Sequence, residues 1–164
     1  VAGLADRLPD RAAAIEETRG LPADVVSALR ASGVPDLWVP RELGGSEASP
    51  TEVLDAIEVL AAGDASTGWC AAVTVGTNAL AAYLPEEGAR EIFATPGTIA
   101  GGSFNPAGRA TEVGGGLRVS GHWAFGSGSG HADWLCGGCV VVDGSGRPVV
   151  GDDGRPDGRL VFFR

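Results

Sequence analysis

Apolar positions follow a helical period over residues 1–96 and a period of two after residue 97. Leu4, Leu8, Ala12 and Ile15 recur at spacings of three and four and form one stripe. Pro22 suits a first helical turn, Val25, Val26 and Leu29 follow, and Gly33 stands where a helix-ending glycine belongs. Two prolines between Val34 and Pro40 predict an extended segment, closed by a turn at Gly44-Gly45. At Ser49-Pro50-Thr51-Glu52 a helix starts: Ser49 caps it, Pro50 fits its first position and Glu52 completes a capping box. Val53, Leu54, Ile57 and Leu60 supply its buried face. Gly63-Asp64 breaks and re-caps the chain, and residues 66–83, apolar on nearly every side, predict a central helix covered all round. A short helix follows Pro85 and ends before Thr95-Pro96-Gly97.

Beyond residue 97, Leu117, Val119, Gly121 and Trp123 alternate with Arg118, Ser120 and His122. Gly114-Gly115-Gly116 is a hairpin turn that pairs Ala110–Val113 with Leu117–Gly121. Strands are also expected over Ala132–Val142 and Leu160–Phe163. Helices followed by strands as a block argue for an α+β fold: an N-terminal all-α bundle over 1–96 and an incomplete antiparallel, barrel-like β domain over 97–164. Four or five strands leave a raw edge and apolar surface, so the chain is expected to be part of something larger.

Composition narrows the chemistry. Of 27 glycines, 18 lie after residue 96, and all 12 basic residues are Arg. The net charge of −9 sits wholly in residues 1–96, so no basic face exists to bind a phosphate backbone and nucleic acid is excluded. The apolar stretch 65–85 is interrupted by Thr67, Gly68, Thr74, Gly76, Thr77 and Asn78, which reads as a buried helix and not a membrane span. Three Cys, an odd number, without a signal peptide point to the cytoplasm.

The most informative segment is Gly121-His-Trp-Ala-Phe-Gly-Ser-Gly-Ser-Gly130, where two aromatics, two hydroxyls and several glycines end a strand. Its glycines let backbone amides approach a flat ligand, and its hydroxyls can donate to ring nitrogens or oxygens; a plain glycine-rich loop is the competing reading. It lacks the βαβ context of a dinucleotide fingerprint. Gly101-Gly102-Ser103-Phe104-Asn105-Pro106 is a second such strand end, and the two could line one concave site. Cys136-Gly-Gly-Cys139 has metal and redox spacing but no second ligand pair, so both thiols are read as structural and no metal is expected. His122 and His131 read as hydrogen-bonding or exposed residues, not a metal pair. Trp69 and Asn78 are placed near one face of the central helix, with the Asn78 amide serving either the core or a ligand.

Three segments are similar to the acyl-CoA dehydrogenase superfamily. Leu37-Trp-Val-Pro-Arg-Glu-Leu-Gly-Gly45 resembles the element closing its first helices, and Gly63-Asp-Ala-Ser-Thr-Gly-Trp69 the start of its buried helix. Gly115–Gly128 with His131-Ala-Asp-Trp134 resembles the flavin-facing strands of its middle β domain. Ser103-Phe-Asn-Pro106 and Trp123-Ala-Phe-Gly-Ser127-Gly128 lean toward the flavin-dependent monooxygenase branch, lacking the Thr-Glu-Pro of the dehydrogenases. That resemblance implies an oxygenase component that takes reduced FMN or FAD from a separate flavin reductase. It would hydroxylate an aromatic or polyketide-like small molecule with O2. It further implies that Trp123, Phe125, Ser127 and Gly128 border the flavin, with Ser127 as the catalytic group near the ring and Ser103 on the same face. Trp69 and Asn78 would wall the substrate side.

Two departures accompany the resemblance. Related oxygenases often carry His near the position of Asn78. Family members also continue into a C-terminal helical bundle that completes the flavin site and builds a homotetramer, so this chain alone is expected to be inactive. An acyl-CoA dehydrogenase-type FAD enzyme and an inactive flavin-site fragment remain the alternatives.

Overall fold

The computed structural model describes residues 1–164. Its helices are α1 (Ala2–Ala5), α2 (Ala12–Thr18), α3 (Ala23–Ala31), α4 (Pro50–Gly63), α5 (Ala65–Asn78) and α6 (Glu86–Phe93). Its strands are β1 (Ala100–Val113), β2 (Gly116–Gly121), β3 (Trp134–Val141) and β4 (Gly158–Phe163). This is the expected α+β fold. None of its helices is long and apolar enough to cross a membrane.

The helix starts follow the sequence signals closely. Ser49 accepts the Glu52 N–H while the Glu52 carboxylate accepts the Ser49 N–H, completing the capping box of α4. Asp64 separates α4 from α5 and caps the latter, accepting the Thr67 N–H at 2.6 Å and its hydroxyl at 2.8 Å. Behind this turn the two helices nearly touch: a Cβ on Gly68 would stand 2.5 Å from the Ala61 Cβ, so only glycine permits the approach.

Four local expectations are corrected. The Leu4–Ile15 stripe is not one helix; the chain breaks after α1 and Pro9 opens a 3₁₀ turn before α2, although Leu4, Leu8 and Ile15 all remain buried. Val34–Asp36 is a 3₁₀ turn and not extended, because the fixed φ of Pro35 suits a helical turn and both Asp36 oxygens accept the Gly97 N–H. Leu54 is 65% exposed, leaving Val53 and Leu60 as the fully buried residues of α4. Helix α5 is covered on one side only: Thr67, Ala71, Thr74, Val75 and Asn78 are buried, whereas Trp69 is 62% exposed.

The sheet is mixed and open, where an antiparallel barrel-like unit was expected. Its order is β2-β1-β3-β4, with antiparallel outer pairs and a parallel β1–β3 pair at the centre. The parallel pairing arises because the chain leaves β2 and crosses over through residues 122–133 before entering β3. Ser103 pairs with Gly137 and Gly108 with Cys139, so Phe104–Ala107 bulges from the ladder where Pro106 has no N–H to give.

Helical and sheet parts share their cores. Ile99 belongs to one buried cluster with Leu8, Leu29, Val53, Leu60 and Val75, and Ala100 to a second with Val39, Ala81, Ile92 and Phe93. Phe93 meets Phe162 of β4 edge-on at 6.0 Å. The exposed face of α5 is thereby held against the crossover loop.

Candidate functional site

Two cavities flank a side-chain hydrogen bond between α5 and the crossover. The Trp69 indole N–H donates to Ser127 Oγ at 3.0 Å, and both residues line both cavities. On one side lies a space of about 890 Å³ between the end of α2, the start of α5 and the loop Gly126–His131. On the other lies a space of about 280 Å³ bounded by Val73, Gly76 and Thr77 of α5, Gly102 and Phe104 of β1, and Phe125. The two glycine-rich strand ends do converge on one concavity, since the bulge at 104–107 brings Phe104 round toward Phe125.

The crossover loop offers unspent donors. Ser127, Ser129 and His131 give their N–H groups to Phe125, Gly126 and Gly128, while the N–H groups of Gly126, Gly128 and Gly130 have no partner within the protein. Ser127 Oγ accepts from Trp69 and donates to nothing. Phe125 is 96% exposed and carries φ +59°, a left-handed backbone that costs a non-glycine residue about 1 kcal/mol or more. Gly128 adopts φ +78°.

Not every sequence candidate reaches these cavities. Trp123 lies flat on the sheet over Gly108, Gly121 and Gly137, donates its indole N–H to Gly138 O at 2.8 Å and packs on Phe163 at 5.2 Å. Its ring supports the sheet beneath the crossover. Ser103 is half-buried in the β1–β3 ladder and lines neither cavity. Asn78 is fully buried: Nδ2 donates to Pro35 O at 2.9 Å and Thr98 O at 2.8 Å, and Oδ1 accepts the Ala100 N–H at 3.1 Å. Trp69 and Asn78 therefore do not share a face. At about 100° per residue their spacing turns the helix to opposite sides, and the partners of Trp69 are Val73, Gly76 and Thr77.

Residues outside the sequence candidates complete the larger cavity. Arg19, whose guanidinium makes no ion pair or hydrogen bond, projects from the end of α2, and Cys70 adds a half-buried thiol. Burial pushes that thiol's pKa up, and the Asp64 charge adds to the effect, so it stays protonated. His131 Nε2 is buried beside Gly128 without a partner. Burial and the Arg30 charge hold the imidazole below its ordinary value against the opposing pull of Asp133. The helical period starting from Trp69 would have found Val73 and Thr77; nothing in the sequence marks Arg19. Cys136 and Cys139 are buried free thiols, and burial, with Cys139 adding to it, pushes Cys136 up to about 12.

The comparisons with known proteins agree with this geometry. The chain is 38% identical over 151 residues to the oxygenase component of the FADH(2)-dependent resorcinol hydroxylase of Rhizobium sp. (strain MTP-10005), covering 91% of this chain and 37% of that one. It is 35% identical over 148 residues to the oxygenase subunit HsaA, a flavin-dependent monooxygenase of Mycobacterium tuberculosis, covering 89% and 37%. The chain thus spans little more than a third of the length of these relatives. Among solved structures, XiaF from Streptomyces sp., in complex with FADH2 and glycerol, superposes with a TM-score of 0.85 at 30% identity, covering 98% of this chain and 41% of that one. Residues 2–94 match the N-terminal domain of acyl-CoA dehydrogenase, more than half of the chain, and the protein therefore belongs to the acyl-CoA dehydrogenase family.

Proposed function

We propose that this chain forms part of the flavin and substrate site of a two-component flavin-dependent monooxygenase, as a portion of its oxygenase component. A separate reductase would deliver reduced FMN or FAD, and the product would be a hydroxylated aromatic or polyketide-like small molecule. The observation that carries the reading is the Trp69–Ser127 cleft on a fold of which 98% matches 41% of the FADH2-bound XiaF chain.

The residues present fit a flavin. Phe104 and Phe125 offer aromatic faces at the smaller cavity, the Ser127 hydroxyl has an unspent proton, and the free N–H groups of Gly126, Gly128 and Gly130 suit ring oxygens and nitrogens. When bound, reduced flavin supplies the two electrons that activate O2, one oxygen atom passing to the substrate and the other to water. Ser127 would orient the ring from its edge, Gly128 would let the loop approach it, and Phe125 would cover it. Trp123 would brace the underlying sheet, with Ser103 paired to Gly137 beneath its ring. Trp69, on the α5 side, would border the substrate, while Asn78 fixes the helix that carries it.

The reading extends to two domains, 1–96 and 97–164, and to a homotetrameric assembly of the whole protein in the cytoplasm. Three free thiols suit a reducing compartment. The test is anaerobic calorimetry with reduced FMN, reduced FAD and an acyl-CoA. Saturable binding of a reduced flavin without acyl-CoA binding is expected; acyl-CoA binding would favour a dehydrogenase instead, and no ligand at all would leave a structural fragment.

A further inference from the structure

Trp69 of α5 and Ser127 of the crossover loop meet through their side chains. Ser127 Oγ lies 3.0 Å from Trp69 Nε1, and indole N–H is a donor only. The hydroxyl must therefore present a lone pair to Trp69 and turn its own hydrogen elsewhere. No protein acceptor takes that hydrogen. Trp69 has no other polar tie, and its ring is 62% exposed, so the contact is not a by-product of burial.

We infer that Trp69 is a positioning residue that sets Ser127 as a hydrogen-bond donor toward a ligand in the cleft. The inference rests on the flavin reading above and adds to it the chemistry of the ligand atom, which is an acceptor: a ring nitrogen lone pair or a carbonyl oxygen. The indole N–H fixes the rotation of the hydroxyl, and by polarising the O–H bond it strengthens the donor. The serine in this way meets a ligand with its hydrogen already aimed, at no further ordering cost.

The contrast with Trp123 sharpens the assignment. That indole also donates, but to a backbone carbonyl, Gly138 O, and it fills a trough of glycines in the sheet. It serves the fold. Trp69 gives its N–H to a side chain at the cavity wall and leaves most of its ring exposed.

The experiment combines a resonance assignment with a double-mutant cycle. In the 15N-labelled chain the Trp69 indole N–H should be protected from exchange, and Ser127→Ala should abolish that protection while leaving the Trp123 indole unchanged. Reduced FMN is then titrated anaerobically by calorimetry into the wild type, Trp69→Phe, Ser127→Ala and the double variant. Each single variant should bind about 3- to 10-fold more weakly, and the double variant no more weakly than Ser127→Ala alone. Because the Trp69 ring is exposed, Trp69→Phe should melt with the wild type. Additive losses would overturn the inference, since Trp69 would then act through its own ring contact. Wild-type affinity in Trp69→Phe would overturn it equally. A wild type that binds no reduced FMN would remove the flavin reading itself, and the inference with it.

Discussion

The Arg30 guanidinium on α3 grips the Asp133 carboxylate at the entry to β3, with Nη2 donating to Oδ1 at 3.1 Å and Nη1 donating to Oδ2. The same guanidinium donates to Gly97 O and His131 O, each at 3.1 Å, and Asp133 also accepts the Ile99 N–H at 2.9 Å. One ion pair thus ties α3 to the first residues of the sheet and to the end of the crossover loop. Burial alone would push the Asp133 carboxyl up; the Arg30 and Ile99 hydrogen bonds, with the charges of Arg30 and Arg164, outweigh it and hold the carboxyl below its usual range. The folded value is depressed, so the stabilisation is complete above about pH 4 and is lost as pH falls through the folded value. Both side chains are partly exposed, at 32% and 42%, and solvent screening limits the effect. Asp133→Asn should cost about 1 kcal/mol at pH 7, a fall of roughly 2–4 °C in Tm, and should flatten the acid limb of the Tm-against-pH curve. An unchanged acid limb would assign that limb to other carboxylates.

Asn78, fully buried, satisfies three backbone groups from the turn at Pro35 and the start of β1. Asn78→Ala would leave two carbonyls and one N–H buried and unpaired, at a cost of about 2–4 kcal/mol. Asn78→Asp should be worse at neutral pH, because a carboxylate would face two carbonyl oxygens. Urea denaturation of both variants checks the order.

These two residues mark how far the sequence could be read. Capping at Ser49 and Asp64, the hairpin at Gly114–Gly116 and the strands at β3 and β4 are local events, written in adjacent residues. The partners of Asn78 and Arg30 are not, since they lie at positions 35, 97, 98, 100, 131 and 133 and meet only once the sheet docks on the helices. The parallel β1–β3 pairing was hidden for the same reason: strand alternation reports the two faces of a strand and carries no information about its neighbour. The candidate site was half legible. Composition marked the Gly-Ser loop, and resemblance marked Ser127 and Phe125, but the helical period had to be counted from Trp69 to reach Val73 and Thr77.

Gly108 tests the support beneath the crossover. A Cβ there would stand 2.2 Å from Trp123 Cζ2 and 2.8 Å from Cys139 Sγ, and Gly137 faces the same ring at 2.7 Å. Gly108→Ala should therefore lift the indole off the sheet, break its bond to Gly138 O and cost about 1–3 kcal/mol. Near-UV circular dichroism should lose part of its tryptophan signal. Gly116→Ala, where a Cβ meets nothing within 4 Å, should leave both signal and stability close to wild type.

His131 sets a second pH dependence, of opposite cause. Its Nε2 is buried beside Gly128 with no acceptor, and a protonated ring would need one there while facing Arg30 from α3. Asp133, on its C-terminal side, pulls the other way without winning, and the folded pKa lies below the unfolded value. A depressed histidine contributes nothing to the pH dependence above about pH 6.5, where both states are neutral, and loses stability as pH falls from there through the folded value. His131→Leu removes the titration and the orphaned nitrogen together, so it should match or exceed the wild type at pH 7 and stay flat down to about pH 5. Melting curves of both proteins between about pH 7.5 and pH 5 decide the matter. Parallel slopes would clear the His131 proton, and any constant offset between them would then measure loss of the ring alone.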